Sequence, residues 1–283
     1  MAVKLAFINS KGGCGKTTSI FHISGILSKS NKKILVIDLD KQKNTTSTLM
    51  MYVNKNDYPK KTVFDFLQGK ANAEEATGKA LFQHRSNATP KYCGVDCMVS
   101  DVRLENEALL KKADGQAVSR ALEEFIKQRQ YDWILVDMPP SNLTLNNICF
   151  SYMVNYVVIP FSSDMFSLDG YDSIAETIKN AREINANLNN LGIYLARYMG
   201  NCALDKYIRN ELSERLYNKT LNKNDFIDVQ IPLAADIREA VFYGRPINYY
   251  KEFSNSCKAY KSLVSEIIKR IELHSNKAHI STQ

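Results

Sequence analysis

The chain has 283 residues, 45% hydrophobic and 24% charged, with a formal net charge of +7. That length holds a full core, as one α/β domain or two small ones, and the balance is that of an ordinary soluble protein. No uninterrupted apolar run approaches the roughly 20 residues that span a bilayer, which excludes a membrane-spanning protein, and the modest positive surplus permits a polyanionic partner without demanding one.

The N-terminal stretch MAVKLAFIN enters a strand-like run directly, without the layout of a signal peptide, so a cytoplasmic location is expected. KLAFIN leads into a predicted helix over Lys16–Lys29, and KILVID (Lys33–Asp38) into a loop and short helices through Leu81. GVDCMVS (Gly94–Ser100) leads into a helical pattern over Leu104–Gln128. The alternation continues with WILVDMPP (Trp133–Pro140), NYVVIPF (Asn155–Phe161), LGIYLAR (Leu191–Arg197) and FIDVQIP (Phe226–Pro232). Near-continuous Val/Ile/Leu strands between helical segments are those of a sheet buried on both faces. One doubly wound α/β domain is therefore expected, with a mostly parallel sheet and helices on both faces. It covers residues 1–274, followed by a flexible tail over 275–283 that frays beyond Leu273. The polar run His84–Tyr92 reads as a surface loop. Six scattered cysteines read as reduced, mostly buried thiols, with Cys14 set apart by its place in the stretch considered next.

Ligands of such sheets bind beyond the carboxyl ends of the strands, and INSKGGCGKTTS (Ile8–Ser19) lies there. A phosphate-binding loop ordinarily reads Gly, four residues, then Gly-Lys-Ser/Thr. Gly15, Lys16 and Thr17 satisfy the end of that pattern, but Ser10 stands where its first glycine belongs, and Lys11 follows. Gly12, Gly13 and Gly15 allow backbone N–H groups to close around phosphate oxygens, and a helix beginning near Lys16 turns its positive end toward them. Lys16 would neutralise β- and γ-phosphate charge, and the Thr17 hydroxyl would ligate Mg²⁺. A tight structural turn with incidental lysines accounts poorly for three glycines at this spacing. Lys11, beside a loop already cationic, is repelled unless further negative charge comes near, as the triphosphate of a second subunit would supply. Asp38 and Asp40 follow a buried strand, and two carboxylates there can organise Mg²⁺ and water near a γ-phosphate. Asp137 closes the apolar strand of WILVDMPPSN, a Walker B match whose carboxylate would hold the Mg²⁺ shell through water.

KGGCGKTT resembles the deviant Walker A motif of the ParA/MinD ATPases, and the likeness runs over nearly the whole chain, nearest to the short Soj-like partition ATPases. The resemblance implies hydrolysis of ATP to ADP and phosphate with Mg²⁺. It implies nucleotide contacts from Lys11, Gly12, Gly13, Cys14, Gly15, Lys16, Thr17 and Thr18, with Lys11 reaching across a homodimer that sandwiches two ATP molecules. VIDLDKQKNTTSTL (Val36–Leu49) matches the family's Asp-x-Asp-Pro-Gln-x-Asn at Asp38, Asp40, Gln42 and Asn44, while Lys41 replaces the proline. By that likeness Asp40 positions the attacking water beside Lys11 and Lys16, and Asp38 joins Thr17 and Asp137 around the metal. Pro139 and Pro140 fit the family's Asp-x-Pro-Pro, and Val157–Ile174 is similar to its fifth-strand region. VQIPLAADIREAVFYGRPI (Val229–Ile247) carries Ile-Pro, Glu-Ala and Gly-x-Pro at the family's spacing, so Ile231 and Pro232 would flank the adenine; a plain strand-to-helix turn fits those two residues equally well. The short lead from Met1 to the loop leaves no room for the helix-turn-helix module of longer plasmid ParA proteins.

Three targets are consistent with such an ATPase. A partition ATPase would coat DNA non-specifically as its ATP dimer, associate with the nucleoid, and be reset when a ParB-like centromere-binding protein stimulates slow hydrolysis. Lys206, Arg209 and Arg215 on a predicted helix over Leu204–Tyr217, then Lys219, and Arg245 further on, are the candidate DNA contacts; a solvated face is the alternative. LAAD follows Ile231-Pro232 where many short relatives carry arginines. A MinD-like positioning ATPase would instead use the amphipathic KSLVSEIIKRIEL (Lys261–Leu273) on a membrane, although the stripe Leu263, Val264, Ile267, Ile268 and Ile271 equally suits a final core helix. An iron–sulfur enzyme lacks matching cysteines, and a ParA-type regulator of a mobile element is a further reading.

Overall fold

The computed structural model describes residues 2–84, 88–162, 169–200 and 225–280, together with 203, 205–208, 210 and 214. Eight strands form one sheet: β1 (Val3–Phe7), β2 (Ile34–Asp38), β3 (Thr77–Phe82), β4 (Lys91–Met98), β5 (Trp133–Asp137), β6 (Tyr156–Phe161), β7 (Asn189–Tyr198) and β8 (Phe226–Pro232). Their order is β3-β4-β2-β5-β1-β6-β7-β8. All pairs are parallel except β3 with β4.

Side-chain alternation explains the two layers that cover this sheet. Leu5 and Phe7 of β1, Ile34 and Val36 of β2, and Trp133 and Leu135 of β5 join one apolar cluster. Their neighbours Ala6, Leu35, Ile37, Ile134 and Val136 join the other. On the first face pack α1 (Lys16–Lys29) and the C-terminal helices α8 (Ala235–Phe242), α9 (Ile247–Tyr250) and α10 (Asn255–Ile280). The second face takes α5 (Gly115–Arg129), α6 (Leu143–Ile148) and α7 (Asp169–Ala181), after the short α2 (Asn44–Leu49), α3 (Val63–Leu67) and α4 (Glu107–Leu110) have led the chain across.

Three elements differ from the sequence expectation. β3 was expected within loop and short helices; it is an antiparallel edge strand whose Lys79 faces solvent, so its half-buried TGKALF lacks the continuous apolar run of the central strands. The single helix expected over Leu104–Gln128 is broken into a 3₁₀ turn, α4 and α5. Asp114 caps α5 by accepting from Ala117 N at 3.0 Å. The C-terminal helix continues through Ile280, beyond the fraying expected after Leu273. Its apolar stripe is largely consumed by packing: Leu263, Val264, Ile267 and Ile271 are buried against the sheet, whereas Ile268 is exposed. No described helix is long and apolar enough to cross a membrane.

Candidate functional site

The carboxyl ends of β1, β2 and β5, adjacent in the sheet, place the phosphate-type loop and the acidic residues together. Between β1 and α1 the chain turns through two left-handed glycines, Gly13 (φ 75°) and Gly15 (φ 94°). Gly15 is the residue before the first turn of α1, and a Cβ there would lie 3.3 Å from the Cβ of Ala196 on β7, so conformation and close approach both require glycine. Asn9 anchors the loop at its start, donating from Nδ2 to Pro160 O at 2.8 Å and accepting from Lys11 N at 3.0 Å.

Lys16 is buried, and its ammonium arches back over the loop to donate to Lys11 O at 3.0 Å and Asn9 O at 3.2 Å. Lys11 is half-buried, Gly12 and Gly13 are exposed, and Thr18 is half-buried in the first turn of α1. Cys14 is buried, its Sγ 3.4 Å from Lys11 O, and burial raises its thiol pKa above the ordinary value. It is a packing thiol rather than a reactive one.

Asp38 and Asp137 are register partners on neighbouring strands, both buried. Asp137 Oδ2 accepts from Thr17 Oγ1 and from Thr45 Oγ1, each at 2.6 Å, while its buried Oδ1 has no hydrogen-bond partner among the described residues. Asp38 Oδ2 accepts from Thr46 N at 2.8 Å and Thr46 Oγ1 at 2.7 Å, and its Oδ1 accepts from Asp40 N at 3.0 Å. Burial and then the charge of Asp137 push the Asp38 pKa up to about 7. Burial likewise raises Asp137, against the opposing pull of the Thr17 and Thr45 hydroxyls and Lys16. Two carboxylates crowded this way are a site that welcomes a cation.

That crowding has a measurable consequence. A raised carboxyl pKa means that the folded protein holds more protons than the unfolded chain, from the ordinary value of about 4 up to about 7. Stability from the pair is therefore complete below the lower limit and lost as pH rises through that window. Buried His22, whose pKa desolvation lowers to about 3, acts in the opposite sense, its contribution fading as pH falls. The melting temperature of Asp137→Asn minus that of the parent isolates the pair. In nucleotide-free protein this difference should shift in favour of the variant as pH rises from about 5 to about 8; a flat difference in a thermal-melt series would refute the crowding.

The remaining predicted residues fall in different places. Ile231 is buried and Pro232 half-buried at the end of β8, where Leu233 N bonds Tyr198 O of β7 at 3.0 Å. β7 in turn reaches the loop, because Arg197, in the left-handed region at φ 57°, donates to Gly13 O at 3.2 Å. Lys206 is exposed, while Arg209, Arg215 and Lys219 lie outside the described residues. Arg245 is half-buried and donates to Gln83 O, His84 O and Tyr249 O at 3.1–3.3 Å, with its guanidinium over the Tyr250 ring.

Sequence reading missed Thr45, Thr46, Asn9 and Arg197. The two threonines stand in the first turn of α2 within NTTS, a pair of hydroxyls directly behind an acidic loop, and that was the available signal. Thr46 turns back to Asp38 at the end of the preceding strand, whereas the partner of Thr45, Asp137, comes near only through the pairing of β2 with β5.

A buried strand, a glycine loop opening a helix, and carboxylates closing the neighbouring strands define a P-loop type of nucleotide-binding α/β protein. A family model described as an AAA domain matches residues 2–190. The chromosome-partitioning ATPase Soj of Treponema pallidum is 29% identical over 273 residues, covering 95% of this chain and 98% of that protein. Among solved structures, cobyrinic acid a,c-diamide synthase of Mycobacterium smegmatis, with bound ADP and magnesium, aligns with a TM-score of 0.74 at 20% identity, over 96% of each chain. A plasmid partition protein of Borrelia burgdorferi bound to AMPPNP aligns at 0.71 and 20% identity, over 95% of this chain and all of the other. At those identities the two structures establish the fold. The chain belongs to the AAA-domain family and, within it, to the ParA/MinD ATPases.

Proposed function

We propose that the chain is a partition ATPase of the ParA type, a single domain over residues 1–274 that switches between monomer and ATP-bound homodimer. The observation that carries this reading is Lys11 in the loop that also presents Lys16, above Asp38 and Asp137 on adjoining strand ends. A second lysine in such a loop is stabilised when the triphosphate of another copy brings its charge within reach.

The donor set fits Mg²⁺. Asp137 Oδ1 is a buried acceptor without a partner among the described residues, Thr17 and Asp137 already meet at 2.6 Å, and Asp38 stands alongside. No group of three or more His, Cys, Asp or Glu side chains gathers as a metal cluster among the described residues. Magnesium does not need one, since it binds through one or two carboxylates together with water and phosphate oxygens. Thr17, Asp137 and Asp38 would hold the ion, which when bound neutralises phosphate charge. Lys16 would shift from its loop carbonyls to the β- and γ-phosphates. Gly12 to Thr18, including Cys14, would supply backbone N–H groups, and Ile231 and Pro232 would flank the adenine. Asp40 would orient the attacking water. With little covalent chemistry left to the protein, slow intrinsic turnover and stimulation by a ParB-like partner are coherent.

DNA is the target this reading assigns to the dimer in the cytoplasm, at the nucleoid. Lys206, Arg209, Arg215, Lys219 and Arg245 are its candidate contacts, although Arg245 would first have to leave its three carbonyls. The MinD-like membrane reading loses support from the burial of four of the five stripe residues on α10.

The test combines sizing and DNA retention. With ATP and Mg²⁺ the parent should run as a dimer and retain random-sequence duplex, with affinity falling linearly on a log–log salt plot. Lys11→Ala should bind ATP, remain monomeric and release the DNA. ATP-dependent dimers of Lys11→Ala would remove the basis of the proposal, and no DNA retention at low salt would redirect it to a protein target.

A further inference from the structure

The loop that carries Asp40 lacks the proline that would stiffen it, since Lys41 stands there. A backbone turn, in which Lys43 N donates to Asp40 O at 2.9 Å, begins to hold it, and side chains add the rest. The peptide units flanking Asp40 are gripped on both sides: Asp40 N donates to Asp38 Oδ1 at 3.0 Å, and Asp40 O accepts from Ser100 Oγ at 2.6 Å. Ser100 is buried just beyond β4, and its own N–H donates to Thr46 Oγ1 at 2.9 Å, the hydroxyl that bonds Asp38. The hydroxyls of Ser100 and Thr46 together thus link the acidic loop, the carboxylate behind it and the end of β4.

The segment that presents Ser100 is itself braced. Arg103 holds Asp101 at 2.7 Å and Asp65 at 2.9 Å. Asn142, in the loop after Asp137, donates to Leu104 O at 3.2 Å. Lys41 returns to the same segment through an ion pair with Glu105 at 2.6 Å. That pair is half in solvent and contributes little by itself, whereas the Ser100 bond is short and comes from a buried hydroxyl.

We infer that Ser100 is a positioning residue for ATP hydrolysis, fixing the Asp40 carbonyl so that the Asp40 carboxylate keeps its aim at the attacking water. This rests on the reading of Asp40 as the water-orienting group. Ser100 touches neither the phosphate loop nor Lys16 among the bonds described, so its loss acts on the chemical step and spares nucleotide binding. Misplacement by about 1 Å is enough to slow a reaction whose catalysis is mostly alignment.

The experiment compares steady-state ATPase kinetics, nucleotide affinity and thermal melts for Ser100→Ala, Ser100→Cys, Ser100→Thr and Asp40→Ala against the full-length parent. Ser100→Ala should lower kcat about tenfold, the worth of roughly one hydrogen bond, with KM and nucleotide affinity unchanged. Ser100→Cys keeps the size but donates weakly, so it should fall alike and carries the test if Ser100→Ala folds poorly. Ser100→Thr, which retains the hydroxyl, should recover most of the turnover. Parental kcat in the Ala and Cys variants with Asp40→Ala inactive overturns the role of Ser100 alone. Parental turnover in Asp40→Ala overturns the reading of Asp40 and the inference with it. A fall in affinity and melting temperature matching the fall in kcat, without recovery in Ser100→Thr, reduces Ser100 to a structural residue.

Discussion

Lys16→Ala should lose ATP binding, by at least about 100-fold in affinity, because a charge-assisted contact to phosphate is worth some 1.5–3 kcal/mol and the loop makes more than one. Two effects combine. The phosphates lose their neutralising ammonium, and the loop loses the brace that Lys16 makes to Asn9 O and Lys11 O. Removing that charge also lifts one of the influences that lower the Asp137 pKa, so the carboxylate becomes a poorer anion. Isothermal titration with a non-hydrolysable analogue and Mg²⁺ measures the loss. Binding within a few-fold of the parent would mean that the helix N-terminus and glycine amides alone hold the nucleotide.

Asp40→Ala should bind ATP normally and hydrolyse it about 10²- to 10⁴-fold more slowly, the range for loss of a group that assists proton transfer or water alignment. Dimers would then accumulate, because the step that returns them to monomers is blocked. Asp40 Oδ1 also accepts from Gln42 N at 2.9 Å, so alanine disturbs the loop as well as the chemistry. Asp40→Asn separates the two, since an amide oxygen can keep that bond while the negative charge is gone. Single-turnover kinetics with sizing under ATP read both variants. An Asn variant as slow as the Ala variant places the effect in the charge; a fast Asn variant places it in the loop.

What could be read before any coordinates follows from where the information is local. The central strands announced themselves because both faces are buried, and after Lys4 the run Leu5, Ala6, Phe7 and on to Ile8 has no polar interruption. The phosphate loop was legible for the same reason, as Gly13, Gly15 and Lys16 act through their own backbone and sequence neighbours. β3 was not, because two of its three inward residues are Gly78 and Ala80, too small to mark an apolar alternation in six residues. Thr45, Thr46, Ser100 and Arg197 were missed because each matters through a partner at least eight residues away, on a strand end or in a loop that follows one. A hydroxyl acquires meaning only when the sheet order is known. The basic residues behave differently again: Arg245 looked like surface charge, yet its guanidinium serves three backbone carbonyls.

The position of β1 bears on how this molecule is made. Val3–Phe7 leave the ribosome well before their hydrogen-bonding neighbours, Trp133–Asp137 on one side and Tyr156–Val158 on the other. At synthesis rates of about 5–20 residues per second, the leading strand waits on the order of 10 s or more for either flank. Contacts this distant along the chain also make closure slow. The glycine loop hangs from that waiting strand, so a nascent chain cannot use ATP as a folding template. Capacity to grip nucleotide arrives only once β5 has been made, and a prematurely terminated product that stops before Trp133 would leave β1 unpaired rather than be a weaker enzyme.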